Sequence, residues 1–538
     1  MPPAVPKRKN TSHSTARLIA AIDIGSNAVR FALAQVDTRG GLRILDERRR
    51  PTRLGANLAS GKALPKTAVK TTIAAVKEFC FDAIRHGVQA TRVVATSAVR
   101  EAPDGAQFVR RLEAEVGLPV EIIGPDEEAR LAFSSCRAAF DLQKQTVAIV
   151  DIGGGSVQVS LAWRGVLYES ISMPLGAVRL TSMFDAAEKG PGSRTNSDPM
   201  ARMRKHVART LETSLPPLAI SPSVLIGCGG TFATIGALLG DFAGSRALAP
   251  MLAHRTRSLA RSGHSAAELT KLVNEVENLD RDKRALMLRR AGVPPDRADI
   301  LPAGLLVARS IVKHLGVKTI VPHAGGVRDG LLREMASAPR PVGLVEQARA
   351  FARSARYEVA HSEQVAHLAV ALLHDLADVD RVREALDDRP DATELLESAG
   401  LLHDLGVPID YDRHHKISRR IVELANWPGI DPLDRAIVAN IARYHRRSLP
   451  TTEHAPFAAL PPRARQVVRV LAGVLRIADG LDRSHLQQTT GVRVRVTANS
   501  LRVFAEGTVP GEPNIRAGAK KSDLLSAAIR RRITVEPG

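Results

Sequence analysis

The sequence predicts an α/β protein built from two related halves, followed by a helical region and a small α+β end. Three observations carry this. The stretch LIAAIDIGSNAVRFALAQV at 18–36 returns 128 residues later as TVAIVDIGGGSVQVSLAWR at 146–164, aligning Asp23 with Asp151 and Gly25 with Gly153. Strand-like and helix-like text alternates as far as residue 335, the pattern of an α/β layer. Beyond APRPVG at 338–343 the text is almost wholly helical to about residue 488.

Each copy of the repeat reads as a strand, a tight glycine turn and a second strand with period-2 alternation, in which Val29, Phe31 and Leu33 match Val157, Val159 and Leu161. Between the copies, residues 66–87 carry a helical pattern and TRVVATS at 91–97 a strand. VLIGCGGTFATIGALLG at 224–240 reads as strand, turn and helix. The prolines and glycine of APRPVG mark a linker. At the C-terminal end, VRVRVTA and LRVFAEG predict a hairpin, and KKSDLLSAAIRRR at 520–532 a basic helix. The expected units are a disordered basic tail (1–17), first and second halves (18–142 and 143–335), a linker (336–345), a helical domain (346–488) and a cap (489–538).

A chain of 538 residues exceeds a single hydrophobic core, so several domains are expected. No run approaches the roughly 20 apolar residues of a membrane span. The first seventeen residues lack the apolar stretch of a secretory signal. Cys80, Cys136 and Cys228 lack metal or redox spacing, which suits a reducing compartment, so a cytoplasmic location is expected. The net charge of +20 attracts polyanions; an arginine-rich composition bias would produce it as well.

A strand ending in Asp-Ile-Gly sets a carboxylate beside a turn whose glycines let backbone N–H groups approach phosphate oxygens. A bare carboxylate repels phosphate, so a metal ion between the two explains the pairing better. One such turn is also a plain tight hairpin. Two matching copies, with GCGGT at 227–231, point instead to a phosphate cleft.

DIGSN, DIGGGS and GCGGT resemble the phosphate turns of the actin, Hsp70 and sugar kinase superfamily, with its ribonuclease H-like domains. VATSAVREAPDG (94–105), GPDEEARLAF (124–133), PLGAVRLTSMF (174–184) and GGVRDGLL (325–332) resemble its exopolyphosphatase/guanosine pentaphosphate phosphatase branch, over about residues 18–335. The resemblance implies two actin-like domains flanking a cleft, with Asp23 and Asp151 holding Mg²⁺. It implies phosphate contacts from Ser26, Asn27, Gly153, Gly154, Gly155, Ser156, Arg179, Gly229, Gly230 and Thr231. Arg100 would clamp substrate, as a fork that pairs bidentately with phosphate, and Glu128 would be the catalytic base. Read without the family, Glu127 and Glu128 equally suit a helix N-terminus as dipole-compensating acids, and Arg100 an ordinary surface. Three positions depart from the pattern: Gln158 where glutamate is usual, Ala28 where serine is common, and Asp329 where glutamate is frequent. An amide at 158 removes a negative charge from a cation site.

In the helical text, His361, His403-Asp404 and Asp479 occur in an order that resembles the HD-domain metal phosphohydrolase superfamily. The resemblance implies a divalent ion, Mn²⁺ or Fe²⁺, with His415 and His445 extending the set and His414 as the rival of His415. The exopolyphosphatase branch also carries HD-like domains as scaffolds with incomplete ligands. Arg419, Arg420, Arg443, Arg446 and Arg447 are candidates for a polyanion path or for solvated faces.

The leading expectation is Mg²⁺-assisted release of terminal phosphate from inorganic polyphosphate or from the 5′ end of guanosine pentaphosphate. The resemblance adds a homodimer, and neither a membrane nor a specific nucleic acid is an expected partner. A metal-dependent nucleotide hydrolase seated in the helical domain, and a sensor that binds polyphosphate or an alarmone without cutting it, are the alternatives.

Overall fold

The computed structural model describes residues 17–38, 40–185, 198–240, 259, 263–337, 342–355, 358–497, 499–507 and 511–538. The expected tail, Arg17 apart, and residues 338–341 of the expected linker lie outside these. Arg17 itself opens the first strand.

One sheet contains β1 (Arg17–Ile24), β2 (Ala28–Val36), β3 (Leu42–Pro51), β4 (Ala90–Ala95) and β5 (Val120–Ile122), in the order β3-β2-β1-β4-β5. The other contains β6 (Thr146–Ile152), β7 (Val157–Trp163), β8 (Val166–Met173), β9 (Val224–Cys228), β10 (His264–Ser265) and β11 (Thr319–Pro322), in the order β10-β11-β9-β6-β7-β8. β1 pairs antiparallel with β2 and parallel with β4; β6 pairs antiparallel with β7 and parallel with β9. The succession β8-β7-β6-β9-β11 thus repeats that of the first sheet, and the fold is the duplicated actin-like arrangement.

Two helices cross between the sheets. Pro125–Ala139 starts on a proline with Asp126, Glu127 and Glu128 in its first turn, a sequence that suits the positive end of a helix dipole. Its Leu131 joins Ile19 and Ala21 in the core of the first sheet, while its Phe133 and Cys136 join Ile149 and Ile226 in that of the second. Val327–Ala336, expected in the second half, returns Leu331 and Leu332 to the first sheet. Each such side chain removed from water contributes about 1.5–3 kcal/mol, so the two halves are held together by shared cores.

The described residues between Leu344 and Leu481 are mostly helical, and their core is continuous with that of the second half, running from Ala148 to Val535. The expected hairpin forms as β12 (Gly491–Val496) and β13 (Ser500–Glu506). The expected helix over 520–532 is corrected. Only Asp523–Ile529 of that stretch is helical, a separate helix, Glu512–Lys520, ends where it was expected to begin, and β14 (Arg532–Pro537) follows parallel to β13. Arg530 in the left-handed region (φ 55°) ends the second helix. Helix Pro462–Leu481 meets this end at Gly480, where an added Cβ would lie 2.6 Å from the Gly518 nitrogen. Among the described residues no helix is long and apolar enough to cross a membrane.

Candidate active site

The two glycine turns are built alike and face each other. Gly25 N–H donates to the Ala28 carbonyl (3.2 Å) and Gly153 N–H to that of Ser156 (3.0 Å). A Cβ on Gly155 would come within 2.4 Å of Ser97 Oγ and 2.7 Å of Ser26 Oγ. Between the turns lies a cavity of about 80 Å³. Asp23, Ser26, Asn27 and Glu128 line it from one side, and Asp151, Gly153, Gly154, Ser156 and Gln158 from the other.

Three carboxylates share this space, Asp23 and Glu128 buried and Asp151 half-buried. Burial pushes Glu128 up to about 7 against the pull of Arg100, with Asp151 and Asp23 adding to the rise. Burial likewise raises Asp151 to about 6, opposed by Arg30 and reinforced by Asp23. Asp23 is raised by burial, opposed by Arg30 and Arg328, and its buried Oδ1 has no hydrogen-bond partner. Closely set, under-compensated oxygens of this kind fit a hard divalent cation. Asp151 reaches its position because residue 229 is glycine at φ 75°, where a Cβ would lie 2.0 Å from Asp151 Oδ1.

The remaining expected residues stand around the cavity. Arg100, near the end of the short helix Ser97–Glu101, donates to Glu128 and to the Ile123 carbonyl (2.6 Å). Gly230 reaches the cavity wall. Arg179, like Arg100, does not line the cavity: it holds the Gly155 carbonyl (2.7 Å) and pairs with Glu101. Thr231 donates its hydroxyl to the Ile152 carbonyl (3.1 Å). Asp329 accepts from Gly326 N–H (3.1 Å) and caps helix Val327–Ala336. Gln158 donates Nε2 to Ser172 Oγ (3.0 Å), and its buried Oε1 has no partner.

Arg30 and Arg297 also line the cavity, and the sequence reading missed both. Arg30 was within reach of it, because the 128-residue shift that aligns the aspartates also aligns Arg30 with Gln158. Each stands opposite its aspartate in register, Arg30 across from Asp23 and Gln158 across from Asp151.

The profile of the Ppx/GppA phosphatase family matches residues 33–338, more than half of the chain, and that of its domain III matches residues 346–506. The chain belongs to the Ppx/GppA phosphatase family. It is 28% identical over 323 residues to an uncharacterized protein of Streptomyces coelicolor, covering 60% of this chain and 91% of the relative. The solved PPX-GPPA enzyme of Aquifex aeolicus is 27% identical, with 60% of this chain and 100% of that one covered and a TM-score of 0.45. An exopolyphosphatase from Cytophaga hutchinsonii is 21% identical over 60% of this chain and 99% of its own, with a TM-score of 0.49.

In the stretch matched by Ppx/GppA domain III, four imidazoles converge on Asp404. Its carboxylate lies 3.8 Å from His361 Nε2, 3.6 Å from His403 Nε2, 3.1 Å from His414 Nε2 and 3.5 Å from His445 Nε2. Asp479 lies 3.8 Å from His361 Nε2. Nδ1 of His403, His414 and His445 each meets a backbone carbonyl at 2.7 Å, and that of His361 meets Asp482 at 2.8 Å. The carbonyls only accept, so Nδ1 of His403 and of His445 carries the proton, and burial, which holds both imidazoles below their ordinary value, leaves each Nε2 with a lone pair facing inward. Nε2 of His361 and of His403 is buried without a hydrogen-bond partner, and those of His414 and His445 face each other at 3.1 Å. Although burial pushes Asp404 up, the surrounding imidazoles hold it well below the usual range.

His415 is corrected here. It belongs to neither cluster of potential ligands, and His414 takes its place. Adjacent helical residues point about 100° apart, so only one of the pair reaches Asp404. Of the five arginines suggested for a polyanion path, Arg419, Arg420 and Arg447 are engaged by acids.

Proposed function

We propose that the chain hydrolyses phosphoanhydrides, releasing the terminal phosphoryl group of inorganic polyphosphate or the 5′-phosphate of guanosine pentaphosphate. The observation that carries this is the placement of Glu128, buried and paired with half-buried Arg100, in the wall of a cavity between two facing glycine turns and two aspartates. The working halves are residues 18–142 and 143–335. Asp23 and Asp151 would hold Mg²⁺, which when bound supplies positive charge to the phosphoryl oxygens. Backbone N–H groups of the turns receive the anionic chain and fix its end. Glu128 accepts a proton from the attacking water, as the bond from water oxygen to phosphorus forms and the anhydride bond breaks. Arg100 orients that carboxylate and offers its free N–H groups to the phosphoryl oxygens.

A second reading places a metal ion, Mn²⁺ or Fe²⁺, in the helical domain, held by His361, His403, Asp404 and Asp479 with His414 and His445 beside them. The buried, unpartnered Nε2 atoms of His361 and His403 beside Asp404 favour it.

Phosphate release from both substrates, measured with Mg²⁺, tests the first reading. Glu128→Gln is expected to lower kcat by about 10²–10⁴, while Asp404→Ala leaves release near wild type. A fatal Asp404→Ala beside a silent Glu128→Gln would move the chemistry to the helical domain. Tight binding without release in the wild-type chain would make the cleft a sensor.

A further inference from the structure

The helical domain contains a second chamber that the cleft reading leaves unused. Its volume is about 540 Å³, against about 80 Å³ for the cleft. Pockets of about 300–1,000 Å³ enclose whole small molecules.

The floor of the chamber is formed by Asp404, His414, His445 and Asp479, and its wall is cationic. Three of the wall cations are already neutralised: Arg447 by Asp412 (2.8 Å), Arg476 by Asp523 (3.0 and 3.1 Å) and Lys521 by Asp479. Arg446, Arg483 and Lys520 differ. Among the described residues, no carboxylate comes within 4 Å of any of them. Arg446 touches the Tyr411 carbonyl (3.4 Å) and the His414 ring, and Arg483 the Tyr411 hydroxyl (3.5 Å). Guanidinium groups that line a concavity without a carboxylate paired to them are matched by an anion with several acceptor oxygens. At the mouth Tyr411 is 55% exposed, with Arg446 5.5 Å from its ring centre, and offers a flat surface to the body of a ligand.

Resting on the reading of the Asp404 cluster as a metal site, we propose that this chamber is a second phosphatase site, for phosphate monoesters of nucleotide size. The phosphoryl group lies toward the floor, with Arg446 and Arg483 on its oxygens, and the organic part lies against Tyr411. The reaction consumes one water. The bond from water oxygen to phosphorus forms and the bond from phosphorus to the ester oxygen breaks. One water proton ends on the released hydroxyl and the other on phosphate. Inorganic polyphosphate, which has no organic body, is left to the cleft.

The test uses the full chain carrying Glu128→Gln, so that the cleft is silent, incubated with Mn²⁺. Bound manganese is measured by elemental analysis, and phosphate release from AMP, GMP, p-nitrophenyl phosphate and polyphosphate is followed. Manganese is expected to bind, and the monoesters are expected to be hydrolysed while polyphosphate is not. Arg483→Ala should raise KM for the monoesters about tenfold, and Arg483→Lys should restore part of that loss, separating lost phosphate binding from misfolding. Manganese bound without release from any monoester overturns the proposal, as does release from polyphosphate alone. Absence of bound manganese overturns the metal reading beneath it and leaves the cleft reading standing.

Discussion

Glu128 is a carboxyl group on which burial outweighs an adjacent guanidinium, and this sets the pH at which it can act. It accepts a proton only when ionised, so kcat/KM is expected to rise through about pH 7. Mg²⁺ at Asp23 and Asp151 would cancel the repulsion that raises it, so a pH–rate series at increasing Mg²⁺ should show the midpoint falling. The sign for stability is opposite. Between its ordinary value of 4.5 and about 7, the folded state binds more protons at this site than the unfolded one, so the site costs stability as pH rises through that window. Gln158 gives a second residue-scale expectation. Gln158→Glu adds a charged acceptor beside Asp151, and Ser172 can donate to it, so half-saturation by Mg²⁺ should fall about tenfold in an activation titration. The glutamine was visible in the sequence as a departure, because the glycine motif fixes its register. The choice between His414 and His415 was not visible, because it depends on which side of a helix meets Asp404.

At the scale of elements, the two hairpins were legible because strand alternation and turn glycines are local signals. Their mutual approach was not. It rests on Gly155 standing where a methyl group would strike the Ser97 and Ser26 hydroxyls. Gly155→Ala should force the turns apart, at a cost of about 1–3 kcal/mol. Calorimetry should show a lower Tm, together with a loss of phosphate release larger than the instability accounts for. The C-terminal end shows the limit of local reading. KKSDLLSAAIRRR has the pattern of a single helix, yet Arg530 turns left-handed and the chain joins β13, a pairing across more than two dozen residues that helical periodicity does not register.

Across the whole molecule, the helix His414–Leu424 spans the distance between the two candidate sites. It opens at Asp404, and Arg420 farther along pairs with Asp126 (2.9 Å) and Glu169 (3.1 Å), the former two residues before Glu128. Arg420→Met is expected to cost about 1 kcal/mol, since both acids are partly solvated. Hydrogen exchange should then quicken in β8 and in the first turn of helix Pro125–Ala139. Duplication itself was plain in the sequence, but the two crossing helices were not, because each is attached in sequence to one half and packed in space against both. The register of the two copies bears on what the cleft does with a polymer. A perfectly twofold groove would accept a thread equally well from either end. Here one lip sets an arginine across from its aspartate and the other sets an uncharged amide, so the groove has a front and a back, and a phosphate chain held in it would present its end at one lip and not at the other.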